Sequence, residues 1–118
     1  MTTLGDILQK KEERKAALMC SLELAVSRLK AMGAIRIVLF GSLARDDVDI
    51  YSDLDLLVVM PSDRTGKQWS RLIYEEVDLG VAHDILVYNE SELEEQLEES
   101  SFLADVVSYG RVVYEKTV

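Results

Sequence analysis

Two strand-like runs, the first ending in a tight turn and the second opened by paired acids, constrain this chain more than any other feature. Ile35-Arg36-Ile37-Val38-Leu39-Phe40 is apolar and β-branched enough for a buried strand, and it breaks at Gly41-Ser42. Eleven residues after Ser42, Asp53-Leu54-Asp55 opens a second run that continues Leu56-Leu57-Val58-Val59-Met60. A period of two puts Asp53 and Asp55 on one face of that strand and Leu54 and Leu56 on the other. Two carboxylates roughly 5 Å apart repel by about 3 kcal/mol at an effective dielectric of about 20, so the pair needs a counter-ion or a shared proton. Gly41 allows a backbone conformation or an approach distance that a Cβ would forbid. Ser42-Leu43-Ala44-Arg45 can open a short helix, with free N–H groups and the Ser42 hydroxyl facing an anion. A phosphate-sized turn beside two same-facing carboxylates reads as a nucleotide–metal site.

Length and charge narrow what such a site can serve. The 118 residues read as one domain, 1–118, too small for a catalytic domain plus a separate substrate domain. A large substrate must therefore be met by a partner or a second copy, and a homo- or hetero-oligomer is compatible with this. Thirteen Lys and Arg against twenty-two Asp and Glu give a net charge of −9, which opposes a polyanion, so direct nucleic-acid binding is not expected. The single Cys20 excludes a disulfide within the chain and, on an apolar helical stretch, reads as a buried thiol. No charged start with an apolar h-region occupies residues 1–15, and no apolar run approaches the roughly 18 residues of a membrane span. The expected location is cytoplasmic, with no membrane contact.

From Ile7 to Met32 there is no Gly or Pro, and Leu18, Leu22, Ala25, Leu29 and Met32 recur at helical spacing, with Gly33 as the stop. The polar stretch from Gln9 to Lys15 reads as a solvated extension of that helix. Strands near 35–40 and 54–60 precede the loop Pro61-Ser62-Asp63-Arg64-Thr65-Gly66. A helix over Lys67–Glu76 follows, with Trp69, Leu72 and Ile73 as core candidates and base stacking as the alternative role for Trp69. A third strand spans 83–88, Asn89-Glu90-Ser91 caps an acidic helix to about Glu99, Phe102–Tyr109 forms another helix, and 111–114 a last strand. The alternation predicts an α/β (α+β) fold, a mixed sheet of about four to five strands covered by helices.

Gly41-Ser42-Leu43-Ala44-Arg45, the interval to Asp53 and Ser52-Asp53-Leu54-Asp55-Leu56 resemble the nucleotidyltransferase signature of the DNA polymerase β superfamily, and the short chain is similar to its minimal nucleotidyltransferase (MNT) branch. The resemblance implies a third carboxylate on a later strand, matched by Asp84 in Val81-Ala82-His83-Asp84-Ile85-Leu86. It also implies that Gly41 and Ser42 hold phosphates and that Arg45 contacts them with its planar fork. Asp46 departs from the family, which usually carries Gly after that Arg; an aspartate there reshapes the turn or sets a negative charge near the phosphates. Asp84, flanked on its face by Ala82 and Leu86, is a costly carboxylate to desolvate unless something pairs with it. His83, adjacent in the strand, points away and reads as a satisfied strand residue. One His and one Cys leave no cast for zinc or Cys/His chemistry. Pro61 and Gln68 exclude a Walker A loop around Gly66-Lys67.

Asp53, Asp55 and Asp84, oxygen donors without imidazole, suit Mg²⁺, with two ions possible and ATP as substrate. The implied reaction is transfer of AMP to a hydroxyl. In the family, small MNT proteins often act as antitoxins beside a helical HEPN toxin, some by adenylylating its tyrosine, and that partner is expected here. The rival readings are a small-molecule transferase of the aminoglycoside type and a non-catalytic module that occludes its partner.

Overall fold

A long first helix lies against a sheet whose two faces are closed by different helices. The computed structural model describes residues 2–117. Helix α1, Leu4–Ala31, starts three residues earlier than Ile7 because Thr3 caps it, its hydroxyl accepting from the Asp6 N–H while the Asp6 carboxylate returns to the Thr3 N–H. It stops where expected: Gly33 takes φ +101, and the Gly33 and Ala34 N–H groups close on Lys30 and Leu29. Then come β1 (Arg36–Phe40), α2 (Gly41–Ala44), β2 (Leu54–Met60), α3 (Gly66–Glu76), β3 (His83–Asn89), α4 (Glu90–Glu99), α5 (Ser101–Tyr109) and β4 (Arg111–Glu115).

Among the described residues four strands, the lower end of the expectation, are ordered β3-β2-β1-β4 in a mixed sheet. β1 pairs antiparallel with β2 and β4, while β3 runs parallel to β2 after the α3 crossover. The alternation along β1 and β2 divides the core. Ile37, Leu39, Leu54, Leu56, Val58 and Met60 face Leu18, Leu22, Ala25 and Leu29 of α1 and Trp69 and Ile73 of α3. Val38, Leu57 and Val59 face Leu93 of α4 and Leu103 and Val106 of α5. β2 thus has apolar neighbours on both sides, which explains its unbroken apolar run after Asp55.

Cys20 corrects the sequence reading: it is exposed. Two residues past Leu18 is about 200° round the helix, which takes Cys20 off the stripe that meets the sheet. Its apolar neighbours Met19 and Leu24 are exposed with it. Trp69 is a core residue, its Nε1 donating to the Pro61 carbonyl at 2.9 Å, at the end of β2 remote from Asp53 and Asp55. Among the described residues no helix is long and apolar enough to cross a membrane.

Candidate active site

The end of β1 and the starts of β2 and β3 meet at one margin of the sheet. Phe40 is the register partner of Asp55 across the antiparallel pair, and Asp55 is the register partner of Asp84 across the parallel one. Register partners share a face, so Phe40, Asp55 and Asp84 form a row over three strands, and Asp53, two residues before Asp55, belongs to the same side. Asp53 is placed by its loop: the Asp49 N–H donates to the buried Ser52 hydroxyl at 2.8 Å, and the Tyr51 N–H to the Asp49 carboxylate at 2.7 Å.

Gly41 presses on this row. Its φ is +75, and a Cβ there would overlap the Asp55 carboxylate. Both the conformation and the contact require glycine. No side chain caps the turn that follows: the residue before it is Phe40, so the first N–H groups of α2, next to the half-buried Ser42, have no capping acceptor. Arg45 stands exposed at the other end of α2.

Asp53 and Asp84 are exposed and Asp55 is half-buried. The expectation that Asp84 is held out of water between Ala82 and Leu86 is therefore not met; it is the second residue of β3, and Ala82 before it is exposed too. Company, not desolvation, distinguishes Asp84. Burial raises the Asp55 pKa above the ordinary carboxylate value, the negative charges of Asp84 and Asp53 raise it further, and Arg45 pulls it back. The two ion pairs among the described residues are Lys15–Asp46 and Arg36–Glu115, so none of the three carboxylates is neutralised by a direct pair. Among the described residues no three His, Cys, Asp or Glu side chains already stand as a ligand set for a metal ion. The donors nevertheless fit a hard cation: they are anionic oxygens, they share one sheet margin, and they are short of positive charge.

His83 is exposed, with Nδ1 2.9 Å from the Val81 carbonyl, and takes no part in the row. Asp46, with φ 54, is the one non-glycine residue in the left-handed region among the described residues, a conformation that favours the glycine expected there from the sequence. Its carboxylate is taken up by Lys15 of α1 at 2.6 Å. Lys15 first, and Arg111 more weakly, hold the Asp46 pKa below the ordinary value. The extra negative charge at the turn is thus offset. Sequence reasoning missed Lys15, which lies in the stretch read as merely solvated; a pair 31 residues apart leaves no local signal. It also missed Phe102, whose ring meets Phe40 edge-on at 6.0 Å. Here a signal existed, because Phe102 and Tyr109 are seven apart and so share one face of α5.

The family model described as "Nucleotidyltransferase domain" matches residues 19–113, which include every residue of the row and the turn. A protein of Methanocaldococcus jannaschii named "Putative protein adenylyltransferase" is 32% identical over 75 residues, covering 64% of this chain and 74% of that one. The crystal structure of "a putative nucleotidyltransferase" from Sulfolobus solfataricus superposes with a TM-score of 0.52 at 16% identity, over 93% of this chain and 87% of that one, a likeness of fold. With that family model matched over residues 19–113, most of its length, the chain belongs to the nucleotidyltransferase domain family.

Proposed function

We propose that this nucleotidyltransferase moves AMP from ATP, with Mg²⁺, to a tyrosine hydroxyl of a helical HEPN-type protein and so acts as the antitoxin of that pair. The observation that carries the reading is the row of Asp55 and Asp84 with Asp53, unneutralised and pressed against the Gly41 turn. Asp53, Asp55 and Asp84 would hold one or two divalent ions, which when bound supply the positive charge that a triphosphate and three carboxylates both need. The uncapped N–H groups after Gly41 and the Ser42 hydroxyl receive the terminal phosphates, and Arg45 offers them its guanidinium fork. Asp84, exposed at the start of β3, is free to accept the proton of the incoming hydroxyl. A bond forms from the acceptor oxygen to the α-phosphorus as the bond to pyrophosphate breaks. The name of the Methanocaldococcus relative supports a protein acceptor. The net charge of −9 supports a basic one, drawn in by complementary charge.

Two measurements test this. Calorimetry should show ATP binding with Mg²⁺ or Mn²⁺ and little in EDTA; equal affinity in both would sink the metal-dependent reading. A HEPN-type protein encoded beside this one should copurify with it and gain AMP mass with Mg-ATP, and Asp53→Asn should eliminate the gain. Copurification without added mass would favour the occluding module, and modification of a small alcohol with no protein partner would favour the antibiotic-type transferase.

A further inference from the structure

We propose that the cleft between α2 and α5 is the seat of the nucleobase, with Phe40, Phe102 and Tyr109 as the stacking surface and Asp105 as a hydrogen-bond acceptor at its rim. This rests on the nucleotide-binding reading above and adds to it which residues select the nucleotide. The cleft has a volume of about 250 Å³ and is lined by Phe40, Gly41, Arg45, Phe102, Asp105 and Tyr109, among others. That is slightly below the roughly 300 Å³ at which small-molecule sites begin, room for one planar ring system and not for a whole nucleotide.

Four observations fix the occupant. Gly41 belongs both to this cleft and to the turn against Asp55, so a ligand whose phosphates lie at the turn can reach the cleft without leaving the surface. Phe102 is 54% exposed and Tyr109 85% exposed, although both stand on a helix otherwise well packed by Leu103 and Val106. Phe40 meets Phe102 only edge-on, at an interplanar angle of 82°, so aromatic surface is left for a stacked ring. Asp105, when ionised, only accepts hydrogen bonds, which suits the amino-bearing edge of a base and opposes a phosphate.

Topology separates this cleft from the acceptor. In the order β3-β2-β1-β4, Asp84 is on β3, whereas the cleft lies beside the end of β1 and the Gly110 that leads into β4. A nucleotide with its phosphates at the β1–β2 junction would extend its base toward α5 and leave the β3 side, with Asp84, open to the incoming hydroxyl. A purine covers more of the aromatic surface than a pyrimidine does, so the cleft favours ATP over CTP or UTP.

The test compares MgATP with magnesium tripolyphosphate, which has the phosphates and no base. Wild-type protein should bind MgATP roughly tenfold or more tighter than magnesium tripolyphosphate, within the range that base stacking on aromatic side chains supplies. Phe102→Ala should bring MgATP down to the tripolyphosphate affinity and leave tripolyphosphate unchanged. Tyr109→Ala, at a side chain too exposed to threaten folding, should lower the ATP affinity in the same sense by a smaller factor. Metal-dependent ATP binding that neither variant alters would overturn the base pocket while leaving the functional reading intact. Unaltered ATP affinity with a raised acceptor KM would overturn it in favour of the acceptor. Failure of both ligands to bind wild-type protein with Mg²⁺ would overturn the nucleotide reading and the pocket together.

Discussion

The two ends of the β2–β3 pair treat their polar groups in opposite ways. Where β2 and β3 finish, buried Asn89 caps α4 by accepting from the Glu92 N–H at 2.8 Å and donates to the Arg64 carbonyl at 2.9 Å. The Glu92 carboxylate answers by accepting from the Asn89 N–H at 3.0 Å and the Gly66 N–H at 2.8 Å. Three connections are tied together there: the loop after β2, the start of α3 and the start of α4. Where β2 and β3 begin, Asp53, Asp55 and Asp84 gather with no ion pair among the described residues, and the half-buried one has a raised pKa. Polar groups at the finishing end satisfy one another, so they hold the fold; among the described residues those at the starting end make no ion pair and repel one another. The difference is the one expected between a cluster that serves the fold and the site proposed above.

The largest effect expected from this contrast is at Asp55. Asp55→Asn should reduce nucleotidyl transfer on the order of 10³-fold, since a metal clamp contributes several kcal/mol at about 1.4 kcal/mol per factor of ten. Stability in EDTA at neutral pH should be unchanged or higher. A carboxyl whose pKa is raised by folding keeps its proton to higher pH than in the unfolded chain. Stability therefore falls as pH rises from the ordinary value of 3.8 to the raised one, and stays lower above it. Thermal melts from pH 3 to 7 should show this decline in wild-type protein and less of it in Asp55→Asn. A large loss of stability in the variant would make Asp55 structural and break the contrast.

The opposite end should give the opposite pattern. Asn89→Ala removes a helix cap and leaves buried backbone partners unmet, an expected cost of about 2 to 3 kcal/mol. Urea unfolding should register that loss while MgATP affinity, measured where the variant is folded, stays at the wild-type value. A fall in affinity with stability retained would mean that the two ends are coupled.

How much of this was legible in the sequence follows the range of each interaction. Every helix and strand could be read, because each is announced by a local signal: the stripe from Leu18 to Leu29, the break at Gly41, the Asn89 cap, the Pro61–Gly66 loop. The starts of α1 and α3 were placed late because Thr3 and Thr65 cap one turn earlier than the apolar pattern begins. Asp53 and Asp55 could be put on one face from period two alone. That Asp84 stands beside Asp55 needs the parallel register of β2 and β3, which no local pattern encodes and only the resemblance suggested. Cys20 was misjudged because an apolar neighbourhood in sequence is not a buried face in space. The partner of Asp46 on α1 was out of reach because nothing local links residues 31 apart, whereas the α5 face that holds Phe102 could have been read from its spacing to Tyr109.

Asp46 offers the smallest effect and the sharpest reading of the turn. Left-handed backbone costs an ordinary L-residue roughly 1 kcal/mol relative to glycine, and Asp is among the residues that tolerate it best. The Lys15 pair offsets part of that cost, but both groups are exposed, so water and salt screen the pair and its contribution is small. Asp46→Gly should therefore change stability by less than about 1 kcal/mol, while Asp46→Ala, which keeps the strain and loses the pair, should be the less stable of the two by roughly 1 kcal/mol. Raising the salt concentration should move Asp46→Gly upward relative to wild type, because only wild type has the Lys15–Asp46 pair to screen. Acid should do the same: the Asp46 pKa is depressed, so the stabilisation it provides is present above the ordinary 3.8 and is lost as pH falls through the lower folded value. Urea melts of the three proteins at low and high salt test both the order and the shift. If Asp46→Ala equals Asp46→Gly, the left-handed conformation at residue 46 carries no cost, and the turn owes its shape to the contact between Gly41 and Asp55 alone.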